Sequence, residues 1–150
     1  GVEKYLIAPS LNLAAAQRLV RRLCDDCKVT IEASPAEDKI IRDALSKLPN
    51  EVTEGLLNEK LTIYKPSETG CKTCNGKTYK GRVAIFEAME INDDIEKIIL
   101  GEISEQALRR ETQRQNMVTM FQDGIIKVLR GLTSLEEVMA VSQDYKEEEN

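Results

Sequence analysis

The stretches Cys24-Asp25-Asp26-Cys27 and Cys71-Lys72-Thr73-Cys74 contain every cysteine of the chain, as two pairs with the same C-x2-C spacing. Two such pairs, separated here by residues 28–70, are typical of a tetrahedral site in which each pair contributes two thiolates to one Zn²⁺. A zinc ion held by four thiolates keeps no open coordination position, so the pattern predicts a structural site without metal catalysis. The sequence therefore predicts that two distant parts of the chain are joined at one point.

Three other interpretations of the cysteines compete with zinc. A redox C-x2-C pair is disfavoured because two equivalent pairs occur, the second between the turn glycines Gly70 and Gly76, without a thioredoxin-like βαβ pattern around either. Iron held by the same four thiolates is an alternative, because tetrathiolate sites accept it. A disulfide framework is disfavoured, since paired C-x2-C motifs without a signal peptide indicate a reducing cytosol.

Composition narrows the class of protein further. The chain has 150 residues, with 41% hydrophobic residues, 4% aromatics and no Trp, which predicts a modest core to which a bound metal would add stability. The net charge of −5 argues against nucleic acid as the main partner, although residues 18–28 include a local basic stretch. The absence of His excludes Ser-His-Asp and Cys-His catalysis. No stretch is apolar over the length that a transmembrane helix needs.

Local patterns predict an α+β fold that is mostly helical, with a short antiparallel β element near the cysteines. Ser10 is the candidate N-cap of a first helix that leads into Cys24. The apolar face of that helix would consist of Leu13, Ala16, Val20 and Leu23. The stretch 34–37 (Ser-Pro-Ala-Glu) combines an N-cap, a proline at N1 and a capping-box Glu, and it predicts a helix that reaches about Leu48. A short helix follows at residues 52–57.

Two strands and a helical region follow. Residues 61–64 predict a strand, and residues 82–91 alternate between apolar and polar positions, as a second strand would. Glu87 interrupts the apolar side, and we interpret it as a charge at the margin of the sheet or paired with Arg82, with a functional acid as the alternative. Beyond Asn92 the pattern is helical. The expected caps are N-caps at Ser104 and Thr133 and a C-terminal cap at Gly131.

Three blocks of residues follow one another in an order that a known family shares. The first is Ser10-Leu11 followed by Ala16-Gln17-Arg18-Leu19-Val20-Arg21-Arg22-Leu23-Cys24-x-x-Cys27. The second is Gly70-Cys71-x-x-Cys74, then Tyr79-Lys80-Gly81-Arg82 and Ile85-x-Glu87. The third is Met117-x-Thr119-Met120, Asp123-Gly124, Lys127-Val128, Gly131-x-Thr133 and Glu137-Val138. Over about residues 1–141 the chain resembles the type II secretion and type IV pilus assembly ATPases of the GspE/PilB family. Thr78 and Asn116 stand where that family usually has Gly, which indicates adjusted turns.

The resemblance implies a division of the chain and a set of site residues. Residues 1–91 would hold the last helix of the ATPase core and a tetracysteine zinc subdomain with a helical insert at about 28–60. Residues 92–142 would form a helical subdomain, and 143–150 a disordered tail. The metal ligands would be Cys24, Cys27, Cys71 and Cys74, supported by Gly70, Gly76, Gly81, Arg82 and Glu87. Gln17, Arg18 and Arg21 are candidates for a contact with the ATPase core or a neighbouring subunit; a solvated basic face is the alternative.

The resemblance also implies a function for the longer protein. The parent would be a cytoplasmic hexameric motor that uses ATP and Mg²⁺ and acts on inner-membrane platform proteins. The chain contains no G-x4-G-K-[ST] phosphate loop and no Walker B segment, and it begins without Met, so we expect a non-catalytic piece of that motor. Its partners would be its own N-terminal ATPase core and neighbouring subunits, without direct nucleic-acid binding. A free-standing zinc-ribbon-like adaptor for protein or nucleic acid is the alternative, and an independent enzyme is the least favoured.

We expect the isolated chain to hydrolyse no ATP, because no motif in it cradles the β- and γ-phosphates. A phosphate-release assay on the purified chain, beside a matched blank prepared from cells with an empty vector, measures this. Turnover above the blank, in a preparation free of contaminating ATPases, contradicts the prediction.

Overall fold

The computed structural model describes residues 3–102 and 104–142, and within them the chain has the predicted α+β fold. Its elements are α1 (Lys4–Ile7), a 3₁₀ turn (Ala8–Ser10), β1 (Leu13–Leu23), β2 (Val29–Glu32), α2 (Pro35–Leu45), α3 (Asn50–Thr53), β3 (Thr62–Lys65), a second 3₁₀ turn (Lys72–Cys74), β4 (Tyr79–Glu90), α4 (Asp93–Leu100), α5 (Glu105–Arg114), α6 (Met120–Leu129) and α7 (Leu135–Val141). The strands form two sheets of two strands each, β1–β4 and β2–β3. No helix among the described residues has the length and hydropathy to cross a membrane.

The chain divides into two compact units. Residues 3–16 and 87–119 form one, here called the α4–α5 unit, and residues 17–86 and 120–142 form the other, here called the cysteine unit. This division differs from the predicted boundary at residues 91 and 92, because α6 and α7 belong to the same unit as the cysteines. The predicted disordered tail at 143–150 lies outside the described residues.

The predicted helix over residues 10–23 is wrong: this segment is the strand β1. The Ser10 hydroxyl donates to the carbonyl of Leu6 and closes the first 3₁₀ turn, so it does not cap a following helix. Within β1 only Val20 and Leu23 are buried, so the helical spacing of the apolar residues does not correspond to one buried face. Pairing with β4 overrides the high helix propensity of the Ala run, because tertiary context outweighs intrinsic propensity.

The insert between the cysteine pairs contains helices, and the antiparallel sheet β2–β3 joins the two ends of this helical segment. In that sheet Val29 pairs with Lys65 and Glu32 with Thr62. The capping box is confirmed: the Ser34 hydroxyl accepts from the Glu37 N–H at 3.4 Å, and the Ser34 N–H donates to the Glu37 carboxylate at 2.8 Å. The helix ends at Leu45, three residues earlier than expected, and α3 begins at Asn50. The strand expected at 61–64 is β3, displaced by one residue.

The core of the cysteine unit is aliphatic and lies where α2, α6 and α7 meet the two sheets. Its fully buried large side chains are Val20, Leu23, Ile41, Leu45, Leu61, Ile63, Ile85, Ile125, Val128 and Val138. The strand predicted at 82–91 is confirmed as β4, which begins three residues earlier, with Ile85 buried. The Gln122 amide donates to the Ala44 carbonyl and so links α6 to α2.

The α6–α7 connection is a tight helix end followed by a buried turn. The N–H groups of Gly131 and Leu132 donate to the carbonyls of Val128 and Lys127, the two hydrogen bonds of a Schellman motif, with Gly131 at φ +68°. The cap predicted at Gly131 is thus confirmed. The N-cap of α7 is Ser134, and the N-cap predicted at Thr133 is wrong because the Thr133 hydroxyl is buried and donates elsewhere.

In the α4–α5 unit, α4 and α5 each begin at a side-chain cap. Asn92 caps α4 through the Ile95 N–H, and the N-cap predicted at Ser104 is confirmed by its bond from the Ala107 N–H. Glu111 is buried and accepts hydrogen bonds from Arg114 and Asn92. These bonds lower the pKa of Glu111 to about 2, so its carboxylate is ionised at neutral pH.

Both positions where the resembling family usually has Gly adopt the left-handed conformation. Thr78 has φ +62° and Asn116 has φ +54°. Asn tolerates this region, whereas a β-branched residue such as Thr is strained there. Thr78 precedes β4, and its carbonyl accepts from the Cys24 N–H at 3.0 Å, so the strained residue links the first cysteine pair to the start of β4.

We expect Thr78→Gly to raise the free energy of unfolding by about 1 kcal/mol, because the relief of strain exceeds the entropic cost of glycine. Thr62→Gly is the matched control: Thr62 is exposed in β3 with ordinary backbone angles, and its replacement should destabilise the protein. Urea denaturation of the three proteins measures the difference. A Thr78→Gly variant that is less stable than the parent contradicts the strain argument.

Candidate metal centre

The four cysteine sulfurs form one compact cluster. The Sγ–Sγ distances are 3.7 Å between Cys24 and Cys71, 3.8 Å between Cys27 and Cys74, and 3.8 Å between Cys71 and Cys74. All four sulfurs lie within 4.8 Å of one another. A disulfide would need a separation of about 2.05 Å, and the cysteines are free. A tetrahedron with a Zn–S distance of about 2.3 Å has an edge of about 3.8 Å, so the donor set fits zinc.

Two backbone turns present the sulfurs, and we call them the first knuckle (residues 24–27) and the second knuckle (71–74). The first follows β1, and the Lys28 N–H donates to the Cys24 carbonyl at 2.9 Å. The second is the 3₁₀ turn, closed by the Gly76 N–H on the Cys71 carbonyl at 3.0 Å. The Cys24 N–H bond to Thr78 joins the first knuckle to the residue that immediately precedes β4.

Backbone hydrogen bonds favour the thiolate form in the second knuckle. The Cys71 N–H donates to the Cys74 Sγ at 3.2 Å, and this bond is the largest contribution to a pKa of Cys74 lowered to about 6. A bond between the Cys71 sulfur and the backbone of Cys74 similarly lowers the pKa of Cys71. In the first knuckle a hydrogen bond from Ser67 lowers the pKa of Cys27, but burial and the neighbouring thiols outweigh it and raise that pKa to about 12. A bound cation would displace the protons of the first knuckle and join all four sulfurs, which is the chemistry of a metal-binding donor set.

Gly70 is required by the close approach of two backbone segments around the second knuckle. A Cβ on Gly70 would lie 2.7 Å from the carbonyl carbon of Gly76, and both glycines have positive φ, +69° and +74°. Any side chain at Gly70 would force the segments that flank the knuckle apart.

The other residues singled out from the sequence lie apart from the sulfurs. Gln17 and Arg18 are exposed on β1, and Arg82 is exposed on β4, which also contains Gly81 at φ +80°. Glu87 is half-buried and belongs to the α4–α5 unit.

Arg21 is bonded within the cysteine unit. Its guanidinium donates to the Glu137 carboxylate and lies 4.2 Å from the centre of the Tyr79 ring. Sequence reasoning did not find this pair, because its members are 116 positions apart and neither shows a local pattern.

Comparison with known proteins adds a family to this geometry. Residues 1–140 match the family described as "Type II/IV secretion system protein". The chain is 39% identical over 144 residues to the type II secretion system ATPase E of Vibrio cholerae, covering 96% of this chain and 26% of that protein. It is 36% identical to the type IV pilus assembly ATPases PilB of Myxococcus xanthus and Thermus thermophilus, covering 93% of this chain and 23% and 14% of theirs. The chain thus spans about a quarter or less of these relatives.

We expect Cys71→Ser to lose the metal, because three thiolates remain and loss of a structural four-thiolate site removes on the order of 10 kcal/mol of apparent binding energy, much of it coupled to folding. Zinc content by mass spectrometry and the melting temperature should both fall. Unfolding should extend to α6 and α7, which belong to the cysteine unit, and should largely spare α4 and α5.

Thr73→Ser in the same turn is the control, since Thr73 contributes no sulfur. The site is not a metal centre of this kind if Cys71→Ser retains one zinc per chain and an unchanged melting temperature.

Proposed function

The chain belongs to the type II/IV secretion system protein family, and we propose that it is the non-catalytic, zinc-binding C-terminal part of a secretion or pilus-assembly motor ATPase. The match over residues 1–140, which includes both cysteine pairs, carries this proposal. The named relatives are ATPases of type II secretion and of type IV pilus assembly. ATP and Mg²⁺ would act in the part of the motor outside this chain.

The sulfur geometry supports a bound metal over a redox pair or a disulfide framework. The 3.7–3.8 Å separations correspond to the edge expected for a four-thiolate zinc site. A closed donor set of this kind supplies a cross-link and leaves no position for water or substrate. Iron in the same four-thiolate site is the competing occupant, and metal analysis distinguishes the two.

In the proposed motor, the cysteine unit would transmit movement. Its own residues provide a continuous route: the first knuckle ends β1, the second knuckle precedes β4, and the Cys24–Thr78 bond holds the two strands in register. A metal that cross-links the two knuckles would prevent β1 and β4 from sliding past each other. Force applied to one strand would then reach the other. We propose that this rigidity couples ATP hydrolysis in a hexameric core to inner-membrane platform proteins, from the cytoplasmic side.

The experiment uses the full-length protein and compares Cys71→Ser, the Thr73→Ser control and the parent. We expect the Cys71→Ser hexamer to retain much of its ATP hydrolysis while pilus assembly or protein export by cells that carry it falls to the level of a deletion strain. Hydrolysis and export are measured on the same expressed variants.

Two outcomes contradict the coupling role. Normal export by a Cys71→Ser protein that has lost its zinc would show that the metal site is dispensable. Loss of hexamer assembly and hydrolysis together would make the unit a structural part of the motor. Tight, salt-dependent binding of nucleic acid by the isolated chain would instead favour the adaptor alternative.

A further inference from the structure

The turn between α6 and α7 contacts the chain on both sides of the first knuckle. We call residues 131–137 the strap. The Leu23 N–H, one residue before Cys24, donates to the Leu132 carbonyl at 3.0 Å. The Lys28 ammonium, one residue after Cys27, donates to the Gly131 carbonyl at 2.9 Å. The first knuckle is therefore held at its entry and at its exit by the same short segment.

Two side chains of the strap reinforce the entry point. The buried Thr133 hydroxyl donates to the Arg21 carbonyl at 2.8 Å. The Glu137 carboxylate accepts from the Arg21 guanidinium at 2.6 and 3.0 Å and from the Arg21 backbone N–H at 3.0 Å. The Glu137 side chain is only 16% exposed, whereas that of Arg21 is 60% exposed, so the carboxylate is the more sheltered member of the pair. Because the sheltered Glu137 carboxylate accepts three hydrogen bonds from Arg21, it fixes both the side chain and the backbone of Arg21.

The strap also contacts the strand that leaves the second knuckle. The Arg21 guanidinium stacks on Tyr79, the first residue of β4, and the Tyr79 hydroxyl lies 3.2 Å from the Ser134 hydroxyl oxygen. The strap thus bridges the chain next to both knuckles, although it contains no sulfur ligand.

We propose that Glu137 and Thr133 are positioning residues for the metal centre: the strap holds the first knuckle in its metal-binding geometry, and metal binding in turn stabilises α7. This inference rests on the proposed binding of zinc by the four cysteines. Coupling between two sites is reciprocal, so a strap that favours the metal-bound geometry is itself stabilised by the metal. In this way the helix pair α6–α7 would respond to whether the four cysteines hold a metal, although it contributes no ligand.

Zinc release tests the proposal. The full chain is loaded with zinc, its one-to-one stoichiometry is verified by mass spectrometry, and release to an excess of a chromophoric chelator is timed. Glu137→Gln and Thr133→Val each remove hydrogen bonds to Arg21 with little change of shape, and we expect about tenfold faster release from each. Glu136→Gln is the matched control with the same charge change in the same helix, because the Glu136 side chain is 61% exposed and lies 3.9 Å from Lys65. Its release rate should equal that of the parent.

A second measurement separates positioning from general stability. Cobalt(II) in place of zinc gives visible absorption bands that depend on the tetrahedral geometry of the folded site. We expect Glu137→Gln to shift these bands and Glu136→Gln to leave them unchanged. Faster zinc release with an unshifted cobalt spectrum would make Glu137 merely stabilising and would overturn the proposal, as would unchanged release. A parent chain that binds no metal would instead overturn the proposed function.

Discussion

The structure of the cysteine unit depends on the gathering of four sulfurs at one point. Ionised sulfurs 3.7–3.8 Å apart would repel one another, and a cation bound among them would offset that repulsion. Because Cys24 and Cys71 lie 47 positions apart, one bound ion would close a loop that the chain otherwise closes with its modest core alone. The core is aliphatic and poor in aromatic residues, which gives such a cross-link a large share of the stability of the unit.

The features around the sulfurs follow from this constraint. The two knuckles need compact turns, and Gly70 is the place where two backbones approach too closely for a side chain. Thr78 accepts strained backbone angles because its carbonyl is needed by the Cys24 N–H. The helix pair α6–α7 belongs to the same unit and reaches the first knuckle through Leu132, Thr133 and Glu137. The cysteine cluster and the helix pair α6–α7 therefore lie in the same compact unit.

The parts of the fold that sequence reasoning found are those that short-range chemistry determines. The capping box at Ser34, the N-cap at Ser104 and the glycine cap at Gly131 each depend on residues within one or two turns. The cysteines were predictable because metal geometry dictates their spacing. The helix assigned to β1 was wrong since its identity depends on pairing with the distant strand β4. The role of Thr133 was missed because its partner Arg21 is 112 positions away. Non-local contacts of this kind leave no periodic signal.

The sheet at the base of the insert has a consequence for how such chains diverge. Residues 33–61 connect β2 to β3, and these two strands pair with each other. Lengthening a loop that is already closed at its base costs little, since the entropic penalty grows only with the logarithm of its length. The insert is accordingly the region where segments can be gained, lost or exchanged during evolution while the spacing of the sulfurs is preserved. The insert and the cysteine cluster can therefore change independently in one chain.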